Sequence, residues 1–148
     1  MQRSADWPWI APFARVALGA AFLSGIASRF GWWGRGVGYG SFEAFVRYTG
    51  EVNAFMPAAT IPYLAWAATV AELVLGVALV VGVWPRRVAL ASAALLATFG
   101  IAMTISQGIK SPLDYSVFSA CAAALLLASR EPSTSSATVR SHRSVTAP

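Results

Sequence analysis

The sequence predicts an all-α protein, a four-helix transmembrane bundle with a short interfacial helix between helices 1 and 2. Three observations lead there. Hydrophobic residues make up 57% of the 148 and charged residues only 11%, whereas soluble domains carry about 25% charged residues; so little charge cannot cover a water-facing surface. The apolar residues come in long continuous runs rich in Ala, Leu and Gly, without the period-2 alternation of a barrel strand, and only helices or closed barrels span lipid. Basic residues sit singly or in pairs at the ends of these runs, the distribution that sets membrane topology.

The length is that of one domain. The net charge of +5 reflects those run-end residues and not a nucleic-acid surface, so no nucleic acid is expected as a partner. Cys121 is the only cysteine, which excludes an intrachain disulfide and any CxxC dithiol chemistry. The single histidine, His142, lies in the polar tail. No metal-ligand cluster, haem-ligand pair, phosphate loop or nucleophile motif is present, so no metal is expected and no residue can be given a catalytic role from sequence.

Residues 1–12 form a lead with Trp7 and Trp9, indoles of the kind found at the headgroup level. The first span covers about 13–30, with Ala17, Ala21 and Gly25 four apart, a small-residue stripe that lets helix backbones approach closely in lipid. An outer loop covers 31–61. Its first ten residues hold five glycines and read as irregular. An amphipathic helix follows over about 41–49, with Phe42, Phe45, Val46 and Thr49 on one face and the i,i+4 pair Glu43 and Arg47 on another. It is too short and too charged to cross a bilayer, so it reads as an interfacial or lid-like element.

The second span, about 62–84, opens at Pro62 and ends in Trp84-Pro85-Arg86-Arg87. Proline stops a helix, and the short turn makes spans two and three an antiparallel hairpin. The third span, about 88–106, carries Ala89, Ala93 and Ala97 as a second small stripe. The fourth, about 112–128, is expected to start at Ser111 as N-cap, Pro112 at the first helical position and Asp114 satisfying the N-terminal dipole. Ser116, Ala120, Ala124 and Ala128 give it a stripe of its own. Residues 129–148 lack apolar periodicity and read as a disordered tail. With both termini cytoplasmic, Arg3, Arg15, Arg86, Arg87, Arg130, Arg140 and Arg143 fall inside, while Arg29, Arg35, Arg47 and Lys110 fall outside, the excess that topology favours. The long loop then faces outward.

Glu72 is the residue most in need of a reason. It lies mid-span, where a carboxylate costs about 2.5–3.5 kcal/mol on insertion scales, and intramembrane acids mark functional sites by default. Ala65, Ala68, Thr69 and Gly76 share its helical face. One reading makes Glu72 the anchor of a ligand's polar group or a proton relay; the other makes it a buried carboxylate that fixes helix register. Its cationic partner is expected to be Arg15, one turn inside the first span with a stem long enough to snorkel, although a plain interfacial anchor is the competing role for that arginine. Arg29 and Lys110 read as outer anchors. The ligand-binding or proton-linked candidates are thus Glu72, Arg15, Thr69 and Gly76. Asp114, Tyr115, Trp32 and Trp33 follow behind, the first two at the outer mouth of the bundle and the indoles as platforms for a planar ring or as belt residues. Cys121 reads as a small apolar packing residue.

With these residues placed, the chain resembles the DoxX family of small four-helix bacterial membrane proteins over about 13–128. The resemblance rests on Arg15-x-x-Leu18-Gly19-x-x-Phe22-x-x-Gly25 in the first span, on Glu72-x-x-x-Gly76 followed by Gly82 and the Arg86-Arg87 turn, and on the stretch from Gly108 to Ser119. The family often carries a lysine near the end of the first span, where this chain has Ser28 and Arg29. The resemblance implies a multi-pass protein of the bacterial inner membrane. It also implies an accessory subunit of a quinone-linked or thiol-redox system, with quinone and no covalently bound cofactor, and with a redox partner protein or a homo-oligomer. If the chain is catalytic, it is then a partner-dependent oxidoreductase subunit. The missing thiol, metal and haem motifs favour a competing class, a non-enzymatic membrane module that binds a lipid-like small molecule or assists assembly of a partner membrane protein.

Overall fold

Six α-helices and one short 3-10 turn form the described part of the chain, residues 7–34 and 36–130 of a computed structural model, and no strand occurs among them. The first six residues, Arg35 and the polar tail from 131 onward lie outside the described residues, and with them the readings made for Arg3, Arg35, Arg140, Arg143, His142 and tail disorder.

Three helices are long and apolar enough to cross a membrane: α1 (Ile10–Arg29), α3 (Ile61–Val81) and α4 (Pro85–Gln107). At 20, 21 and 23 residues, rising about 1.5 Å each, they match a hydrocarbon core about 30 Å thick. The chain is therefore a multi-pass integral membrane protein. α3 ends three residues before the expected boundary because Gly82 takes a left-handed conformation, φ +82°, and donates its N–H to the Ala78 carbonyl at 2.9 Å. Val83 and Trp84 belong to the turn, and α4 begins on Pro85, where a missing N–H costs nothing.

The fourth expected span is divided. A five-residue helix, α5 (Lys110–Asp114), is followed by a break at Tyr115 and Ser116, the latter at φ +56°, and then by α6 (Val117–Arg130). Ser111 is not the N-cap: the helix starts one residue before it, and its hydroxyl donates to the Gln107 side chain at 2.7 Å. Asp114 closes α5, where it ion-pairs with Lys110 one turn back. At 14 residues α6 is a shorter apolar helix, about 21 Å long.

α1 lies mainly on α3 and α4 mainly on α6, while α3 and α4 are joined by their turn. The α1–α3 contact is a backbone approach at Gly19 and Gly76: a Cβ on Gly19 would stand 2.7 Å from the Gly76 carbonyl oxygen and 2.7 Å from Val80 Cγ2. This is the close packing that small residues permit in lipid, but it uses a different face from the expected one. Ala17 and Ala21 are exposed, and the buried face of α1 is Leu18, Gly19, Phe22, Ile26 and Arg29. On α4 and α6 the small residues do meet a neighbour. Ala89, Ala93, Ala124 and Ala128 are buried in one core with Leu79, Leu96 and Leu127, and the Cys121 thiol reaches the Ala93 carbonyl at 3.3 Å. This core fills the end of the bundle that carries the α3–α4 turn.

At the opposite end lies α2 (Phe42–Val52), opened by Ser41, whose hydroxyl accepts from the Ala44 N–H at 3.2 Å. It buries Phe45, Thr49 and Val52 against the bundle and keeps the Glu43–Arg47 pair exposed. It rests on both α3 and α4.

Candidate functional site

The glycine-rich loop sets up the site. It folds back onto the end of α1 through hydrogen bonds from Tyr39 N–H to the Ser28 hydroxyl (2.9 Å) and from Gly40 N–H to the Ser28 carbonyl (3.1 Å). Gly38 must be glycine twice over: its φ is +65°, and a Cβ there would overlap the Ser28 side chain. The result brings Tyr39 against Phe45 and Tyr48 of α2, with ring centroids 5.1 and 5.3 Å apart.

Beneath this aromatic group Glu72 is buried, 4% exposed, and its partner is Arg29, 5% exposed. Arg29 Nη2 donates to Glu72 Oε1 at 2.6 Å and Nη1 donates to the Thr69 hydroxyl at 3.0 Å. The Thr69 hydroxyl in turn donates a hydrogen bond to the Ala65 carbonyl at 2.8 Å. The guanidinium carbon also lies 3.8 Å from the centroid of the Phe45 ring, a cation–π contact. Arg29 thus ties α1, α2 and α3 together at one point. A Cβ on Gly25 would come within 3.3 Å of Glu72 Oε2, so the small residue on α1 leaves the carboxylate its space.

This corrects the expected pairing. Arg29 is no outer anchor, and Arg15 is not at Glu72: its guanidinium lies beside Gly82 at the α3–α4 turn, where a Cβ would meet Nη1 at 3.1 Å. The two helices run antiparallel, so the carboxylate in the middle of α3 is reached from the end of α1 and not from its start. The signal was available on a helical wheel, since Gly19, Phe22, Ile26 and Arg29 fall on one face. Gly76 serves the α1–α3 approach and lies apart from the charges. Trp32 and Trp33 are exposed; the Trp33 indole N–H donates to the Ser24 carbonyl at 3.1 Å. Lys110 and Asp114 pair with each other on the surface.

Between α3 and α4, under α2, a cavity of about 490 Å³ opens beside the ion pair. Its walls are Leu64, Ala67, Ala68 and Ala71 of α3 and Leu95, Phe99, Ala102 and Met103 of α4; Phe45, Tyr48 and Val52 of α2 roof it, with Arg29, Tyr39 and Glu72 at its polar side and Tyr115 also on its lining. Burial pushes the Tyr39 phenol well above its ordinary value, with Tyr48 adding to the effect, and burial likewise raises Tyr48; both are neutral hydrogen-bonding groups at physiological pH. No group of three or more metal-binding side chains occurs among the described residues. The arrangement suits a molecule with an apolar body and a small polar head.

Comparison with known proteins gives one match: the DoxX family model covers residues 10–105. Neither a curated protein nor a solved structure matches the chain significantly.

Proposed function

The chain belongs to the DoxX family, and from that premise we propose that it is a membrane module that holds an amphipathic, lipid-like small molecule in the cavity under α2. In this reading it acts as an accessory subunit of a quinone-linked or thiol-redox system. The observation that carries the reading is the cavity itself: about 490 Å³, walled by alanine, leucine and aromatic side chains, with a single buried ion pair at its edge. Small-molecule sites occupy about 300–1,000 Å³ and combine mostly apolar walls with a few placed polar groups.

A quinone fits the donor set. Arg29 Nε is buried and has no hydrogen-bond partner among the described residues, and a quinone carbonyl accepts from such a group. Arg29, fixed by Glu72, would donate to the head, the rings of Phe45 and Phe99 would enclose it, and the α3 and α4 walls would take the apolar chain. When bound, a quinone supplies reversible two-electron, two-proton chemistry. The protein's part is to bind it, orient it and keep water from it. α2 would lie at the membrane interface on the outer side, consistent with the excess of basic residues assigned to the inner side.

The second reading, a non-enzymatic module that binds another lipid or assists a partner membrane protein, is favoured by one observation: the single thiol is committed to packing against the Ala93 carbonyl. The cavity is filled in the first reading and in the lipid-binding form of the second. The test is mass spectrometry of the protein purified from its native membrane in lipid-preserving particles, beside the double variant Ala68→Leu/Ala102→Leu that fills the cavity. A stoichiometric amphiphile in the wild type and its loss in the variant are expected. No bound amphiphile, or equal retention in the variant, overturns the proposal. A quinone together with a sulfur- or thiol-handling protein selects the redox subunit; another lipid without quinone selects the second reading.

A further inference from the structure

The polar side chains around the cavity fall into two sets once their hydrogen bonds are traced. Thr49 donates to the Phe45 carbonyl at 2.8 Å, Asn53 to the Thr49 carbonyl at 2.9 Å and Thr98 to the Ala94 carbonyl at 2.9 Å. Each of these residues turns a donor onto a nearby carbonyl, which uses both threonine hydroxyl protons and leaves only the second N–H of the Asn53 amide. Glu72 is held by Arg29, which keeps its buried Nε as a further donor. The hydroxyls of Tyr39, Tyr48 and Tyr115 are different: all three residues line the cavity, and no hydrogen bond joins those hydroxyls to another group among the described residues. Tyr39 and Tyr48 are half-buried and Tyr115 is exposed, so three phenol donors on one cavity lining stay available to a ligand's acceptors.

The charge of the site narrows the ligand class. Arg29 and Glu72 cancel, so an anionic head finds no uncompensated cation and a cationic head no uncompensated carboxylate; burying either without a counter-charge is strongly unfavourable. Phenols are neutral donors that suit neutral acceptor oxygens. We infer that Tyr39 and Tyr48, with Tyr115 beside them on the cavity lining, are the specificity-determining residues of the cavity and select an uncharged head bearing carbonyl oxygens over charged amphiphiles. This inference rests on the cavity being a ligand site, as proposed above, and adds which heads it accepts and which side chains choose them.

The experiment uses the full chain in phosphatidylcholine nanodiscs and three probes with the same ten-carbon tail: a decyl-substituted 1,4-benzoquinone, decyl sulfate and decyltrimethylammonium. Bound probe per protein is measured across a concentration series. The quinone probe is expected to saturate at one per chain, while the charged probes show only the non-saturable partitioning of empty nanodiscs. Tyr39→Phe and Tyr48→Phe keep the ring contacts and remove one donor each, and each should weaken quinone binding about five- to tenfold, as loss of one hydrogen bond does. Tyr63→Phe, an exposed tyrosine outside the cavity, should leave the affinity unchanged. Saturable binding of either charged probe as tight as that of the quinone overturns the selectivity, and this arm needs no variant to fold. Unchanged affinity in Tyr39→Phe and Tyr48→Phe, with wild-type unfolding midpoints, overturns the role of the phenols. If none of the three probes saturates in the wild type, the cavity reading falls and this inference with it. If the quinone saturates but the phenylalanine variants bind equally well, only this inference falls.

Discussion

The two ends of the bundle solve the same problem by different means. At the turn end, where α3 passes into α4, helices meet through small residues: Ala89 and Ala124 are fully buried, Ala93 and Ala128 nearly so, and Leu79 is enclosed among them. At the loop end α1, α2 and α3 are held by an arginine that bonds Glu72 and Thr69 and stacks on Phe45, and space remains beside it, between α3 and α4. In lipid there is no hydrophobic gain on bringing helices together, so association depends on close packing or on polar contacts. Packing leaves no room for a ligand. A polar tie with reach, such as the Arg29 side chain, holds α2 over α3 by contacts at one edge and leaves the cavity between α3 and α4 open beside it.

The contrast can be broken most forcefully at the tie. Arg29→Met leaves Glu72 buried without its cation and should destabilise the fold by about 3–5 kcal/mol, the usual consequence of removing one member of a buried pair. The double variant Arg29→Met/Glu72→Met should recover most of that loss. Equilibrium unfolding in lipid-like detergent measures both, and a double variant as unstable as the single one would mean that the pair is not the tie. The next effect belongs to the packed end. Gly19→Val drives a branched side chain into the Gly76 carbonyl and Val80 and should cost about 1–3 kcal/mol, as overpacking does.

A matched pair sharpens the comparison. Ala124→Leu in the packed half should cost about 1–3 kcal/mol, whereas Ala102→Leu, directed at the cavity, should change stability by less than about 1 kcal/mol because its added atoms enter free space. Equal losses would remove the distinction between the halves. The smallest effect is expected from Glu43→Gln. Its partner Arg47 lies across one turn of α2 with both side chains largely exposed, and such pairs contribute about 0.3–0.5 kcal/mol, so the unfolding midpoint should barely move.

Much of this was legible in the residues themselves. Apolar runs bounded by Pro62, Pro85 and Gly108 placed the long helices, and the row of Ala65, Thr69, Glu72 and Gly76 at spacings of three and four put the carboxylate on the buried face of α3. On α4 and α6 the stripes found the buried face at Ala89, Ala93, Ala124 and Ala128, while Ser116 fell in the exposed break before α6. On α1 the same rule chose Ala17 and Ala21, which face outward, since a small residue permits close approach without requiring it. The wheel put Arg29 on the buried face of α1 but did not single it out as the partner of Glu72: Arg15 shares that side, and only the antiparallel register says which of the two can reach mid-α3. The break at Ser116 carries no glycine or proline, so the division of the fourth apolar stretch had no local sign. The cavity had none either, because it arises from the relation of α3 to α4 under α2 and belongs to no single segment.

The position of the two charges also bears on how the protein is made. Arg29 ends its helix, where a lone α1 newly placed in the bilayer can keep its guanidinium at the aqueous boundary by extending the side chain. Glu72 sits at the centre of α3, too far from either boundary for its short side chain to escape. Synthesis proceeds from the N-terminus, so the residue that tolerates waiting enters the membrane first and the one that does not enters second. The helix that is harder to insert therefore arrives beside a counter-charge already in place, and the order of the two along the chain doubles as an assembly sequence.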